Sequence, residues 1–206
     1  LWSQQHWDLL KPLLTLLADA GQKCITTSII PAPWGGQTYD PFESMIGWIY
    51  NSSGKWDYDY SVFDQYVQFA MDCGITKQIN CYSMVPWGNQ VKYFDEDSSK
   101  FVSRKLIPGS DEFENFWRPF LYDFRAPLKE MGWLEKTTIA LDERGIDEMK
   151  ALFSFMKETA PEFKITMAGH YFEEINHEIY DFSYNWGHVF ESSKEVANER
   201  RKNGAV

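Results

Sequence analysis

Apolar residues recur along the chain with two periods that alternate from segment to segment. In five segments they recur every three or four residues, which is typical of amphipathic helices. In five shorter segments, apolar and β-branched residues are nearly consecutive, which is typical of buried strands. The predicted helices cover residues 4–20, about 61–72, about 111–131, about 146–160 and about 192–204. The predicted strands cover residues 24–30, 75–82, 137–141, 164–168 and 179–184.

Two features interrupt this regular pattern. Pro119 and Pro127 lie inside the third helical segment. Because proline lacks a backbone N–H and clashes with the preceding turn, a kink or two shorter helices are expected there. Long stretches without a clear period follow the first and second strands, at residues 31–60 and 83–109, and are predicted to be loops.

The alternation of strand and helix predicts an α/β fold with parallel strands and helical crossovers. An open doubly wound sheet and a (β/α)8 barrel of the TIM type both fit. The glycine-rich G-x-G-x-x-G turn of a doubly wound dinucleotide fold is absent, and the long loops after the strands favour a barrel. Since a barrel needs eight strands and about 250 residues, residues 1–206 are expected to be an internal portion of one barrel domain. This portion would hold about five parallel strands, with further strands before Leu1 and after Val206.

Charge and composition narrow the range of partners. The 206 residues include 20 Lys and Arg against 30 Asp and Glu, a formal net charge of −10. An acidic surface repels phosphates, so nucleic acid is not expected as a partner. No apolar run reaches the roughly 20 residues that span a bilayer. The 15 Phe, 9 Trp and 11 Tyr often fall in polar loops, which suggests a stacking surface for a ligand such as a sugar.

The strongest chemical signal is the pair Asp142-Glu143, which follows the third strand with no turn residue between. Two carboxyl groups held close together cannot both ionise easily, so the pKa of one should rise. One group could then donate a proton while the other stays anionic, as glycoside cleavage requires. Alternatively, both acids could stabilise the N-terminus of the next helix. Arg144 could pair with one carboxylate or face solvent.

Residues 138–149, TIALDERGIDEM, resemble the catalytic strand of glycoside hydrolase family 123, which includes domains of unknown function in many gut Bacteroidetes proteins. Residues 17–27, continued by Trp34 and residues 37–41, and residues 74–87 are also similar to this family, in the same order. The resemblance implies a retaining, exo-acting β-N-acetylgalactosaminidase on a (β/α)8 barrel, often behind an N-terminal β-sandwich. It also implies a glycan substrate, no metal, no cofactor, and a periplasmic or extracellular, surface-anchored location.

The mechanism that the resemblance implies is substrate-assisted. The 2-acetamido oxygen of the sugar attacks the anomeric carbon and forms an oxazolinium intermediate, so no enzyme nucleophile is needed. Asp142 would orient the acetamido group and stabilise its developing positive charge. Glu143 would protonate the leaving oxygen and then activate water.

Further candidates for sugar binding lie at the expected strand ends. Aromatic rings and amide or hydroxyl groups are the types that a sugar site needs. They are Trp34 after the first strand, Asn80, Tyr82 and Trp87 at the second, His170 and Tyr171 after the fourth, and Tyr184, Asn185 and Trp186 at the fifth. Tyr171 and Tyr184 are the candidates for a hydrogen bond to the acetamido carbonyl.

Two other function classes remain open at this stage. The same scaffold could be a non-catalytic carbohydrate-binding protein that uses the aromatic residues alone, although such a protein would not need the acid pair. A metal-dependent hydrolase is disfavoured, because H-E-x-x-H is absent and the spacing of His170 and His177 fits no standard ligand pair. Metal analysis of the purified protein would separate this class.

Overall fold

The computed structural model describes residues 1–39, 41–184 and 193–205. Its helices are α1 (Gln4–Asp19), α2 (Ser61–Asp72), α3 (Asp111–Glu130), α4 (Ile146–Thr159) and α5 (Ser193–Lys202). Its strands are β1 (Cys24–Ser28), β2 (Gly47–Tyr50), β3 (Trp56–Asp59), β4 (Gln78–Tyr82), β5 (Gln90–Asp95), β6 (Lys100–Lys105), β7 (Thr137–Asp142), β8 (Lys164–Gly169) and β9 (Asp181–Tyr184). The predicted helices and strands are all found within a few residues of their expected bounds.

The main sheet contains five strands in the order β1-β4-β7-β8-β9, and every neighbouring pair is parallel. The predicted α/β class with parallel strands is therefore confirmed. These strands lie side by side in chain order, without the reversal of order that marks a doubly wound sheet. The sheet is consistent with part of a barrel, while a closed eight-stranded barrel is not formed by the described residues.

The two faces of the main sheet differ in polarity. Register pairing puts Asn80, Thr138, Thr166 and Asp181 on one face, together with the last residue of β7. Across this face, Gln78 Nε2 donates to Asn80 Oδ1 and to Asp181 Oδ2, both at 2.8 Å. The opposite face carries apolar side chains such as those of Ile79, Cys81, Ile139, Leu141, Ile165 and Met167, which belong to the core. Hydrogen bonds on the polar face therefore hold the strands that carry Asp142 and Tyr82 at their C-terminal ends.

A second sheet occupies the two stretches that were expected to be loops, so that expectation is wrong. Its four strands lie in the order β3-β2-β5-β6. The ring of Trp48 on β2 stacks on Phe116 of α3, with ring centres 4.8 Å apart. A period-two signal is present at the start of β5, where Val91 and Tyr93 are buried and Gln90 and Lys92 are exposed. This alternation buries only every second residue, so it lacks the consecutive buried residues that mark β4 and β7.

Helix α3 is one helix of 20 residues, so of the two alternatives expected at Pro119 and Pro127 the division into two shorter helices is wrong, and the kink stays a prediction. Each proline removes a backbone hydrogen bond and costs about 3 kcal/mol or more. The helix buries seven apolar side chains, each of which contributes about 1.5–3 kcal/mol. This burial outweighs the cost of the two prolines. Ser110 caps the N-terminus by accepting from the backbone N–H of Phe113.

Candidate active site

Asp142 is the last residue of β7, and its half-buried side chain borders a cavity of about 530 Å³ at the C-terminal edge of the main sheet. This is the edge at which parallel α/β folds bind their ligands. The cavity is lined by Thr26, Thr27, Ser28, Trp34, Gln37, Thr38, Phe42, Met45, Tyr66 and Asp142. Asp142 and Trp34, both predicted as site residues, therefore line the same cavity as several residues that were not predicted.

Trp87 is bonded directly to Asp142. Its Nε1–H donates to Asp142 Oδ2 at 2.9 Å. Trp87 lies in the loop between β4 and β5. Directly after it the chain makes a tight turn in which Gly88 and Asn89 both have positive φ, at +77° and +55°. The backbone N–H of Trp87 also donates to Pro33 O at 3.0 Å, which joins the loops that follow β1 and β4. Trp87, predicted as a substrate residue, thus orients the acid.

Glu143 adopts the left-handed conformation, with φ of +48°. Its N–H donates to Ala168 O at 2.7 Å, so the chain bends at the end of β7 while still attached to β8. The bend brings the backbone of Glu143 close to Gly169. A Cβ added at Gly169 would lie only 3.1 Å from Glu143 Cα. Such a bend allows neighbouring residues to reach the same edge, although they alternate faces in a regular strand. The acid pair therefore lies where the chain leaves regular strand geometry.

Burial raises the pKa of Asp142, and the nearby charge of Glu143 raises it further. The Trp87 hydrogen bond and the positive charge of Arg144 act in the opposite direction. The prediction that one pKa of the pair rises is confirmed, but its main cause is desolvation rather than repulsion between the acids. The increase falls on Asp142, the residue expected to act as the anion.

Trp34 and Tyr82 form an aromatic wall beside the acid. Their ring centres are 4.9 Å apart, and Trp34 also meets Phe42 edge to face at 5.2 Å. Tyr82 is the last residue of β4 and shares the polar face of the sheet with Asp142. Burial, together with the charge of Asp142, raises the pKa of Tyr82 to about 12. Its hydroxyl stays neutral and can donate a hydrogen bond at physiological pH.

Asn80 lies two residues before Tyr82 on the same strand and is buried within the polar network. Its Oδ1 accepts from Gln78 Nε2 at 2.8 Å and from Thr138 Oγ1 at 2.9 Å. The side-chain carbonyl of Asn80 therefore supports the sheet beneath the cavity. A direct role in sugar binding stays a prediction for this residue.

The described residues that were predicted at the ends of β8 and β9 do not line the cavity beside Asp142. Ser183 aligns with Ala168, which aligns with Asp142, so Tyr184 projects to the opposite face of the sheet. Tyr184 packs there on Phe182 and stacks on Tyr171, with ring centres 4.4 and 6.0 Å away. Half-buried His170 follows β8. Asn185 and Trp186 lie outside the described residues.

Several residues near the acid were missed. Arg144 was expected either to pair with a carboxylate or to face solvent, and it does neither: it is 8% exposed and donates to the main-chain oxygen of Asp142. Ser28, Thr38 and Tyr66 line the cavity. Ser28 is the last residue of β1 and could have been found from its place at the strand end, whereas Thr38 lies in the loop that follows. Tyr66 lies on α2, and helix periodicity alone gives no reason to assign it to a site.

The described ranges hold neither a candidate metal centre nor a membrane-spanning helix. No group of three or more His, Cys, Asp and Glu side chains that could hold a metal ion occurs within them. Within these ranges, no helix has both the length and the apolar character needed to cross a membrane.

Comparison with known proteins gives the family of this chain. The sequence model of the glycoside hydrolase 123 catalytic domain matches residues 1–206. A solved structure of a family 123 glycoside hydrolase from Clostridium perfringens, studied for glycolipid glycan hydrolysis, superposes with a TM-score of 0.93 at 33% identity. The match covers 99% of this chain and 38% of that one. A search among curated proteins found no match. The match to the family model over the whole chain shows that this protein belongs to glycoside hydrolase family 123.

Proposed function

We propose that the protein removes terminal β-linked N-acetylhexosamine, with N-acetylgalactosamine as the first candidate, from a glycan. We infer retention of configuration and assistance by the 2-acetamido group of the substrate. The observation that carries the proposal is the environment of Asp142: a half-buried carboxyl group, hydrogen-bonded through one oxygen only among the described residues, beside a second acid and a cavity large enough for a sugar. Membership of a glycosidase family supports it.

The bonding of Asp142 suits an acetamido partner. Trp87 occupies Oδ2, whereas Oδ1 accepts no hydrogen bond from the described residues. Oδ1 can therefore accept the N–H of the substrate's 2-acetamido group. This bond turns the acetamido oxygen towards the anomeric carbon, and the carboxylate stabilises the positive charge of the oxazolinium ion.

Glu143 supplies the proton in this mechanism. As the acetamido oxygen bonds to the anomeric carbon, the glycosidic C–O bond breaks and Glu143 protonates the departing oxygen. In the second step Glu143 takes a proton from water, the water oxygen bonds to the anomeric carbon, and the oxazolinium C–O bond opens. Two displacements at one carbon give net retention.

The aromatic wall formed by Trp34 and Tyr82 provides a surface for the flat face of the sugar, and the Tyr82 hydroxyl provides a donor. His170 and Tyr171 remain proposed substrate residues on the β8 side. We also propose a periplasmic or extracellular location, which cell fractionation would test.

The test compares two substrates on the full-length protein: an aryl β-N-acetylgalactosaminide and the matching aryl β-galactoside. The first should be cleaved and the second should be a very poor substrate, since it lacks the internal nucleophile. Equal rates on both would rule out substrate assistance. Binding of the sugar without cleavage of either compound would instead support a non-catalytic carbohydrate-binding protein.

Asp142→Asn tests the role of the first acid. It should impair hydrolysis of good and poor leaving groups about equally, because the acetamido group must be held whichever group departs. Azide should not restore the rate, since the acetamido group still occupies the attacking face. Strong rescue by azide would indicate an enzyme nucleophile and contradict the mechanism. Asp181→Asn, a carboxylate on the same sheet face but at the start of β9, is the matched control.

A further inference from the structure

Arg144 is a buried cation next to the acid pair. Its side chain is 8% exposed, and its guanidinium forms no ion pair with the described residues. Burying a charge without a counter-ion is costly unless other contacts replace its hydration. The contacts that Arg144 makes therefore indicate what its burial achieves.

Those contacts join two segments of the site. Arg144 Nε donates to the main-chain oxygen of Asp142 at 2.9 Å, and Nη1 donates to Pro86 O at 3.4 Å. The guanidinium carbon lies 4.8 Å from the centre of the Trp87 ring. One contact is thus to the end of β7, and two are to the loop that carries Trp87. None is to the carboxylate oxygens of Asp142.

We propose that Arg144 is a positioning residue that holds Trp87 against Asp142, so that one carboxylate oxygen stays directed towards the substrate. The inference rests on the proposed function for its catalytic consequence, and on the four contacts around Trp87 and Asp142 for its structural content. Arg144 acts through the indole and the backbone rather than on the substrate.

The chemistry of the side chain fits this role. A guanidinium is planar and can stack on an indole while its edge donates hydrogen bonds, which the ammonium of lysine cannot do in the same geometry. The charge of Arg144 also favours the ionised form of Asp142. Among the described residues, the charged groups that act on Asp142 are Glu143 and Arg144, and the neutral Trp87 and Tyr82 face it from the β4 side.

A separate contact holds the same loop in place. Asn89 Nδ2 donates to Glu148 Oε1 on α4 at 2.8 Å, without touching Trp87 or Asp142. The loop should therefore stay attached when Arg144 is changed. Glu148→Ala removes this tether, together with the bond that Glu148 Oε2 accepts from the Gly145 N–H at the start of α4, and so shows the effect of loosening the loop while Arg144 stays in place.

The chain also offers a matched control for Arg144. Arg118 lies 5.2 Å from the centre of the Phe155 ring and donates to Thr159 Oγ1 at 2.8 Å. It combines a ring contact with hydrogen bonds, as Arg144 does, but it joins α3 to α4 away from the acid pair. Arg118→Met should lower the melting temperature and leave the active site unchanged.

The experiment uses the full-length protein with Arg144→Met, Arg144→Lys and the two controls. In crystals of Arg144→Met, Trp87 Nε1 should lie beyond hydrogen-bond distance of Asp142 Oδ2. Loss of a hydrogen bond to a charged group predicts a fall in kcat of about tenfold or more. The acid limb of kcat/KM should move to higher pH. Arg144→Lys should recover the pH profile more fully than kcat.

Each outcome decides a specific point. An unchanged Trp87–Asp142 bond and an unchanged acid limb in Arg144→Met would overturn the proposal, even if the variant melts earlier. The same changes in Glu148→Ala would assign the effect to the loop instead. Should Arg144→Met fail to fold, unchanged kcat and geometry in Arg144→Lys would overturn the proposal. If the wild type cleaves no N-acetylhexosaminide, the proposed function fails while the crystal distance still tests positioning.

Discussion

The C-terminal edge of the main sheet has two unlike sides, although both are rich in aromatic residues. On the side of β1, β4 and β7, Trp34, Tyr82 and Trp87 gather around Asp142 and its cavity. On the side of β8 and β9, Tyr184 packs on Phe182 and Tyr171. Position after a strand is therefore not enough to place a residue in the site. The register of the strand, and the path of the loop behind it, decide which face the side chain occupies.

The largest expected effect tests whether the chemistry lies at the end of β7. Glu143→Gln should lower the rate on a substrate with a poor leaving group by about 10²–10⁴-fold, the usual contribution of general acid catalysis. An activated aryl glycoside, which needs little protonation, should lose much less. Parallel assays of the two substrates measure this difference. Equal losses would remove Glu143 from the proton-donor role.

Gly169→Ala tests whether the β8 side contributes through its backbone. A Cβ there would lie 3.1 Å from Glu143 Cα, and φ is +154°. Displacing a reacting group by about 1 Å can cost about 10²-fold, so kcat should fall by about tenfold or more. Gly132→Ala is the control, because φ is +69° but nothing lies within 4 Å of the new Cβ. Similar kcat losses in both variants would indicate general backbone strain.

Trp87→Phe and Tyr184→Phe compare the two sides directly. Trp87→Phe removes the donor to Asp142 and should lower kcat by about tenfold, since hydrogen bonds to charged groups contribute about 1.5–3 kcal/mol. Tyr184→Phe should change kcat by less than about twofold, because its ring packs on the opposite face. Steady-state kinetics on an aryl N-acetylgalactosaminide measure both. A larger loss in Tyr184→Phe would reverse the comparison.

The smallest expected effect concerns stability. Burial raises the pKa of Asp142 above the ordinary value of about 3.9. The neutral form is therefore favoured in the folded state: its stabilising contribution is complete below pH about 3.9 and is lost as pH rises through the folded pKa. At pH 7, Asp142→Asn should melt at the same temperature as the wild type or slightly higher.

Thermal melts of both proteins between pH 4 and 7 measure this effect. The wild type should lose stability relative to Asp142→Asn as the pH rises. A relative gain by the wild type would show that the Trp87 bond and the Arg144 charge outweigh the cost of burial.

Much of the fold followed from local pattern. The parallel strands and their crossover helices were predictable because apolar periodicity reports which face of an element is buried. The second sheet was not predicted, because its strands lack the consecutive buried residues of β4 and β7 and pair across two separate loops. The sequence also could not decide whether α3 stays undivided, since its stability comes from Phe116, Trp117 and Phe120 packing against Trp48, which is distant in the chain.

By itself, the sequence determined the acid pair and its position at a strand end, because Asp142 and Glu143 are adjacent and follow an apolar run directly. It could not determine the contact of Trp87 with Asp142, which joins residues 55 positions apart, or the burial of Arg144. These depend on the register between β4, β7 and β8 and on the turn at Gly88. Periodicity specifies the environment of each residue along its own element, whereas a site assembled from several loops depends on tertiary packing that brings distant positions together.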